Sequence, residues 1–227
     1  MPAKISQDKL SKDAKRDLRW GSHVPLNQSI LSSIPITGVL ELGAGTNSTP
    51  LFFEKCEYVT SVESDKHWIN KLINDQIVKE TENCRLVYHS VPDSINRSTL
   101  RKDISKDVLD SAIELYTSLI TPQTNFLFVD CYAGFRLEAL EKLHEKFDVI
   151  VYDDVEPEYE WCYSYDSFNP NEKYIRLVDK TFLTHVGLLV SNKYEHLIDN
   201  LKASFEVNSK NFANKFNAKH TPALNRC

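Results

Sequence analysis

Two six-residue runs, Asn125-Phe126-Leu127-Phe128-Val129-Asp130 and Asp148-Val149-Ile150-Val151-Tyr152-Asp153, are apolar almost throughout, and each runs out into a carboxylate. A strand with one face in water alternates apolar and polar residues, whereas a strand covered on both faces does not need to. The stretch between the two runs, residues 136–146, reads as a helix. Strand, helix, strand, with both strands covered, calls for a parallel sheet between layers of helices. Open sheets of this kind bind ligands outside the carboxyl ends of their strands, so those ends are where chemistry is expected.

Units of the same kind extend the pattern in both directions. Upstream, strands at 38–42, 58–63 and 84–88 alternate with helices at 49–55, 67–79 and 106–119; downstream, the spacing predicts helices at 171–184 and 194–204 and strands at 187–190 and 205–207. The sum is an α/β fold, a doubly wound, mostly parallel seven-stranded sheet. Ile5, Leu10, Ala14 and Leu18 stand at helical spacing among charges, ended by Trp20-Gly21, so residues 1–24 read as an N-terminal helical extension and 25–227 as a single domain. No internal repeat or Gly/Ser-rich linker divides the chain.

With 227 residues, 41% apolar and 26% charged, the chain can bury one core. Its formal charge of -5 supplies no global positive field, which disfavours nucleic acid as a partner. No segment approaches the roughly 20 apolar residues of a membrane span, and Met1 to Trp20 lacks an apolar signal core, so the expectation is a soluble, cytoplasmic protein with no membrane partner. The five cysteines are odd in number and form no C-x-x-C pair, which indicates reduced structural thiols rather than a disulfide framework or a zinc site.

The segment with most chemistry is Val39-Leu40-Glu41-Leu42-Gly43-Ala44-Gly45-Thr46-Asn47-Ser48-Thr49, a strand passing through two glycines into a helix. Glycines permit a tight turn and close approach of a ligand, and the N–H groups at the helix start can hold polar oxygens. Twenty residues after Gly43, Glu63 ends the next strand, where a carboxylate can accept both hydroxyl hydrogens of a ribose. The pair points to a nucleoside-containing cofactor. Two features depart from the dinucleotide fingerprint: Ser48 holds the third glycine position, and Glu41 puts an acid on the first strand. A pyrophosphate would gain nothing from that charge, whereas an ammonium or sulfonium would.

On these residues the sequence resembles the class I S-adenosylmethionine-dependent methyltransferases, whose first motif, hydrophobic-hydrophobic-(Glu/Asp)-x-Gly-x-Gly, stands here as Val39 to Gly45. Asn47 takes the place of a further glycine that many members carry. The resemblance spans about residues 36–155 and implies a Rossmann-like methyltransferase fold with S-adenosylmethionine as cofactor. It implies that Glu41, Gly43, Ala44 and Gly45 border the methionine part and that Glu63, with Ser64, binds the ribose. Asn47, Ser48 and Thr49 stand at the helix start, where Ser48 and Thr49 either cap the helix or meet the cofactor carboxylate. His89 and Ser90, after the third strand, stand where such folds place groups beside the adenine, with a surface or core-edge histidine as the alternative for His89.

Asp130, Asp153 and Asp154 end the fourth and fifth strands and are the candidate catalytic residues, for removing a proton or positioning an acceptor. Three such carboxylates could hold Mg²⁺, and the arrangement resembles that of the catechol-type metal-dependent O-methyltransferases. Those enzymes carry an Asp-Asn pair where this chain has Asp153-Asp154, so a divalent metal is not the favoured reading. Arg136 is read as a salt-bridge partner for a strand-end carboxylate, with an acidic substrate group as the alternative. The acidic and aromatic stretch 155–168 suits a lid or specificity loop for an amine, a quaternary cation or a polyol. The stretch from Val207 to Cys227, basic and without acids, reads as a solvated tail. The expected activity is methyl transfer from S-adenosylmethionine to an oxygen or nitrogen of a small-molecule acceptor; the alternatives are an NAD-dependent oxidoreductase and a non-catalytic S-adenosylmethionine-binding domain. Oligomeric state is left open by the sequence.

Overall fold

The computed structural model describes residues 11–157, 163, 165–182, 184–216 and 224–226. Among them eight strands form one sheet: β1 (Gly38–Leu42), β2 (Tyr58–Glu63), β3 (Cys84–Tyr88), β4 (Thr124–Val129), β5 (Val149–Asp153), β6 (Tyr174–Asp179), β7 (Val186–Ser191) and β8 (Leu224–Arg226). Their order is β3-β2-β1-β4-β5-β7-β6-β8. The first five pair in parallel, β7 runs antiparallel between β5 and β6, and β8 antiparallel to β6. The α-helices given by the described residues that flank it are α1 (Lys12–Trp20), α2 (Val24–Ser33), α3 (Ser48–Lys55), α4 (Lys66–Asn74), α5 (Lys106–Ser118), α6 (Ala133–Leu143) and α7 (Ile198–Lys215).

The apolar runs divide their side chains between two cores at the two-residue period of a strand. Val39, Phe126, Phe128, Val149, Val151, Leu188 and Val190 meet Leu26 and Ile30 of α2, Phe52 of α3, and Ile198, Leu201 and Phe205 of α7. Their neighbours Leu40, Leu42, Leu127, Val129, Ile150 and Leu189 point the other way, onto Leu109, Ala112 and Tyr116 of α5 and Leu137 and Leu140 of α6. Both faces are therefore covered, as the unbroken apolar runs require.

Three expectations are corrected. Residues 171–184 are not a helix: Tyr174 to Asp179 form β6, whose Ile175 and Leu177 join one core and Tyr174 the other, an alternation that a helix could not present to two layers. Phe205 to Val207 are not a strand but the middle of the 18-residue α7, where Ile198, Leu201, Phe205, Ser209 and Phe212 recur every three to four positions on the buried side and Val207 faces outward. The end of the chain is no solvated tail where described, since Lys210 and Lys215 lie on α7 and Leu224 to Arg226 pair with β6. One strand lost and two gained give eight in place of seven.

The N-terminal segment packs on the body through Leu18, which meets Phe182, Phe212 and Ala213. Ile5 and Leu10 of the expected amphipathic stretch lie outside the described residues, as do most of 158–164, Lys219, Cys162 and Cys227. Cys56, Cys84 and Cys131 are free cysteines, the first two buried. No described helix is long and apolar enough to cross a membrane.

Candidate functional site

The chain leaves β1 to pair on one side with β2 and β3 and returns to the other side as β4 and β5, so the winding direction reverses between β1 and β4. Outside the carboxyl ends of the strands flanking this reversal lies a cleft of about 650 Å³, at the place where doubly wound sheets bind their ligands. Its floor is the turn Gly43 to Ser48. One wall carries Glu63, Ser64, Asp65 and Trp68, another Arg19, Trp20 and His23, and the far end Asp130, Asp153, Asp154, Arg136 and Tyr163.

The turn is built by its own backbone. Gly43 has φ +98°, and a Cβ there would stand 2.3 Å from the Asp130 carbonyl oxygen. The amides of Gly43 and Ala44 donate to Val62 O at 2.8 and 3.2 Å. Gly45 N donates to Thr49 Oγ1 at 2.8 Å, so the Thr49 hydroxyl closes the loop and is not offered to a ligand. Asn47 takes the cap position of α3, and its Nδ2 donates to Trp20 O at 3.1 Å, tying the N-terminal segment to the turn. Ser48 lines the cleft. At Gly45 a Cβ would meet nothing nearer than Ser48 Oγ at 4.0 Å, so the missing side chain leaves room for a ligand against the backbone.

Glu63 stands at the end of β2. Its Oε1 accepts from the amides of Ser64 and Asp65, both at 2.7 Å, and no described residue bonds Oε2. Burial pushes its carboxyl up to about 7, against those two bonds.

Glu41 is placed differently from the expectation. It is fully buried beneath the turn and does not line the cleft. Ser61 Oγ donates to its Oε2 at 2.5 Å, while Oε1 has no partner among the described residues. Burial raises its carboxyl to about 7, against the opposing hydroxyls of Ser48, Ser61 and Thr49 and the charge of His23. An acid whose folded pKa lies above its unfolded value near 4.5 stabilises the fold while protonated, fully below that value and progressively less as pH rises to about 7. Glu41→Gln is therefore expected to match the wild type at pH 5 and to exceed it by roughly 3 kcal/mol at pH 8. Urea unfolding at the two pH values measures the difference, and a gap independent of pH would contradict the assignment.

The carboxylates after β4 and β5 converge on Arg136, which α6 supplies from its first turn. Its Nη2 donates to Asp130 Oδ1 at 2.6 Å, its Nη1 to Asp154 Oδ2 and to the Asp153 carbonyl at 3.1 Å each, and its Nε to the Cys131 carbonyl at 2.7 Å. The guanidinium also lies 4.4 Å from the ring centroid of Tyr163, whose hydroxyl donates to Asp154 Oδ2 at 3.1 Å. Asp154 adopts φ +61° to take this position. Burial and the charge of the neighbouring aspartates hold Asp130 and Asp154 above the usual carboxylate range, with Arg136 pulling the other way. The salt-bridge reading of Arg136 holds, with two carboxylates rather than one.

Asp153 faces the other way, toward a residue that the sequence reading missed. His23, in the turn between α1 and α2, is buried with Nδ1 3.3 Å from Asp153 Oδ2 and its ring centroid 4.9 Å from that of Phe128. His23, Asp130 and Asp153 offer ligand atoms within 4.8 Å of one another, a spacing that suits a metal ion. Arg136, held against Asp130 Oδ1, already supplies positive charge at this point, and we assign no metal ligands.

His89 and Ser90 do not reach the cleft. His89 is buried beside it, its Nδ1 3.0 Å from the Tyr116 hydroxyl and 3.3 Å from Ser64 Oγ, between the ring edges of Tyr116 and Phe135. Burial lowers it to about 4, so it is neutral at ordinary pH. Ser90 is exposed on the outer side.

No protein family matches the chain, and no curated protein matches it. Among solved structures it is similar to an rRNA methylase from Streptococcus thermophilus, at 12% identity over 75% of this chain and 96% of the other, with a TM-score of 0.47. It is also similar to the N-methyltransferase NodS from Bradyrhizobium japonicum WM9 in complex with S-adenosyl-L-homocysteine, at 9% identity, 80% and 93% coverage and a TM-score of 0.45. A methyltransferase from Geobacter sulfurreducens gives 12% identity, 82% and 92% coverage and a TM-score of 0.44.

Proposed function

We propose that the protein transfers a methyl group from S-adenosylmethionine to an oxygen or nitrogen of a small-molecule acceptor. The observation that carries the reading is the pairing of Glu63 with the glycine turn at the sheet's switch point: a carboxyl fixed through Oε1 by two backbone amides, with no described residue on Oε2, and at Gly45 a backbone open to close approach. A ribose and the chain attached to it fit these two features. Charge favours a cationic donor over a dinucleotide. The cleft is lined by Glu63, Asp65, Asp130, Asp153 and Asp154 against Arg19, Arg97 and Arg136, and this excess of acids suits a sulfonium better than a pyrophosphate.

When bound, S-adenosylmethionine supplies a methyl group that is already electrophilic. The protein's tasks are to align the acceptor and to take its proton, and alignment alone can supply several kcal/mol of the barrier. Asp130 and Asp154, fixed by Arg136 and Tyr163, are held as acceptor-positioning groups.

Titration calorimetry of the full chain with S-adenosylmethionine, S-adenosylhomocysteine and NAD tests the reading. The first two are expected to bind and NAD not, and Glu63→Ala is expected to weaken binding by roughly ten- to a hundredfold, the loss of hydrogen bonds to a charged acceptor. Binding of NAD alone, or affinity for S-adenosylmethionine unchanged in the variant, would contradict it.

A further inference from the structure

His23 reaches the cleft from outside the glycine turn and the strand ends. Its setting is fixed on several sides: the Ser22 hydroxyl hydrogen-bonds the Thr184 hydroxyl, Thr184 Oγ1 donates to Arg19 O at 3.3 Å, and Asn47 Nδ2 holds Trp20 O at 3.1 Å. Within this frame one ring nitrogen, Nδ1, faces Asp153 Oδ2 at 3.3 Å, and the other, Nε2, is buried without a partner among the described residues. A buried, unpaired ring nitrogen costs free energy that a protein rarely leaves uncompensated. An imidazole whose Nδ1–H is taken by a carboxylate presents a lone pair at Nε2, and a base oriented by a third group in this way is the arrangement that proton-transfer catalysis uses.

We propose that His23 is the catalytic proton acceptor of the methyl transfer, oriented by Asp153. This rests on the methyl-transfer reading and deepens it. As the acceptor oxygen or nitrogen forms its bond to the methyl carbon, the carbon–sulfur bond breaks with its electron pair remaining on sulfur. The proton of the acceptor passes to His23 Nε2, giving an imidazolium beside the Asp153 carboxylate. Among the other candidates, Asp130 Oδ1 and Asp154 Oδ2 are held by Arg136, and Asp153, whose Oδ1 has no partner among the described residues, is committed through Oδ2 to the ring it orients.

The charges around the ring agree with this role. The titratable groups that act on it are Asp153 at the end of β5, Asp130 after β4 and Glu41 on β1, and they raise its pKa against the lowering effect of burial. The imidazolium formed in the step is therefore stabilised where it forms, and activity is expected to rise with pH through a midpoint above 6.5, the ordinary histidine value.

Nitrogen-15 NMR of the full chain decides the assignment without an acceptor. The neutral ring is expected to carry its proton on Nδ1 with Nε2 bare, and Asp153→Asn is expected to lower the His23 titration midpoint by one pH unit or more. A proton on Nε2, or a midpoint unmoved in the variant, would overturn the proposal. Turnover supplies the second arm, measured as S-adenosylhomocysteine formed from a panel of phenols, carboxylic acids and primary amines. His23→Asn puts an amide nitrogen near the place of Nδ1 and His23→Gln puts one near the place of Nε2, and neither amide is basic; both are expected to lower kcat at least a hundredfold on any compound accepted, while the Kd for S-adenosylmethionine stays within twofold. Wild-type turnover in both variants would overturn the base and leave the methyl-transfer reading standing. A wild type that binds no S-adenosylmethionine would overturn both, with the NMR result showing whether the His23–Asp153 pair itself exists.

Discussion

Replacing Arg136 with methionine is expected to cost roughly 3–5 kcal/mol of stability at pH 8, because it removes one partner from a buried ion network and leaves the others behind. The guanidinium side chain is 7% exposed and bonds two carboxylates and two backbone carbonyls. Without it, Asp130 and Asp154 would face Asp153 with His23 as the nearest compensating group, and Tyr163 would lose the cation over its ring. Protonation relieves like charges, so the penalty should shrink as pH falls and the carboxyls take up protons; at pH 5 we expect about half of it or less. Arg136→Lys keeps the charge but cannot span four acceptors with one ammonium, and should fall between. Urea unfolding of the three proteins at pH 5 and 8 measures this. Equal losses at both pH values would mean that packing, and not charge, is what Arg136 contributes.

That network marks the border of what the sequence made legible. β1, β2 and β3 match their expected bounds residue for residue, since each is a short stretch rich in strand-forming residues, β1 stopping at Gly43 and β2 at the acid Glu63. The strand-end carboxylates and Glu63 were legible for the same reason: once a parallel sheet is accepted, the residue that ends a strand has a known place. The local period was ambiguous downstream of β5. In β6, Arg176 and the charged residues on either side hide the alternation that the two cores later reveal. In α7, the short Phe205-Glu206-Val207 has strand-like composition, and only the recurrence of Ile198, Leu201 and Phe212 around it restores the helical period.

His23 was illegible for a different reason. Its contact with Asp153 spans 130 positions, and no spacing rule links a turn before the first strand to the end of the fifth. The one available signal was a histidine at a helix start preceding Val24-Pro25, which fixes where the ring stands but not what it faces. Glu41 shows the converse case: its position in the motif was plain, yet its burial beneath the turn placed it among structural groups. Sequence patterns located backbone positions well, and the direction and partners of side chains followed from packing.

The glycine turn offers the sharpest separation of folding from binding. Gly43→Ala is expected to cost about 2–6 kcal/mol, summing a strained positive φ with an overpacked contact. The added Cβ would stand 2.3 Å from the Asp130 carbonyl oxygen and 2.7 Å from Cys131 N, backbone atoms that cannot swing aside. Relief would require β1 and β4 to part at their ends, which would break the 2.7 Å bond from Asp130 N to Leu42 O and disturb the Asp130–Arg136 pair. Gly45→Ala, two residues on, has neither difficulty: its φ is not positive and its nearest neighbour to a Cβ is 4.0 Å away. It should change stability by less than about 1 kcal/mol yet lower S-adenosylmethionine affinity by tenfold or more, since the methyl group would fill space at the cleft floor. Urea unfolding paired with calorimetry on both variants checks the contrast. If Gly45→Ala binds as the wild type does, the ligand does not lie against this turn, and the reading built on Gly45 and Glu63 fails with it.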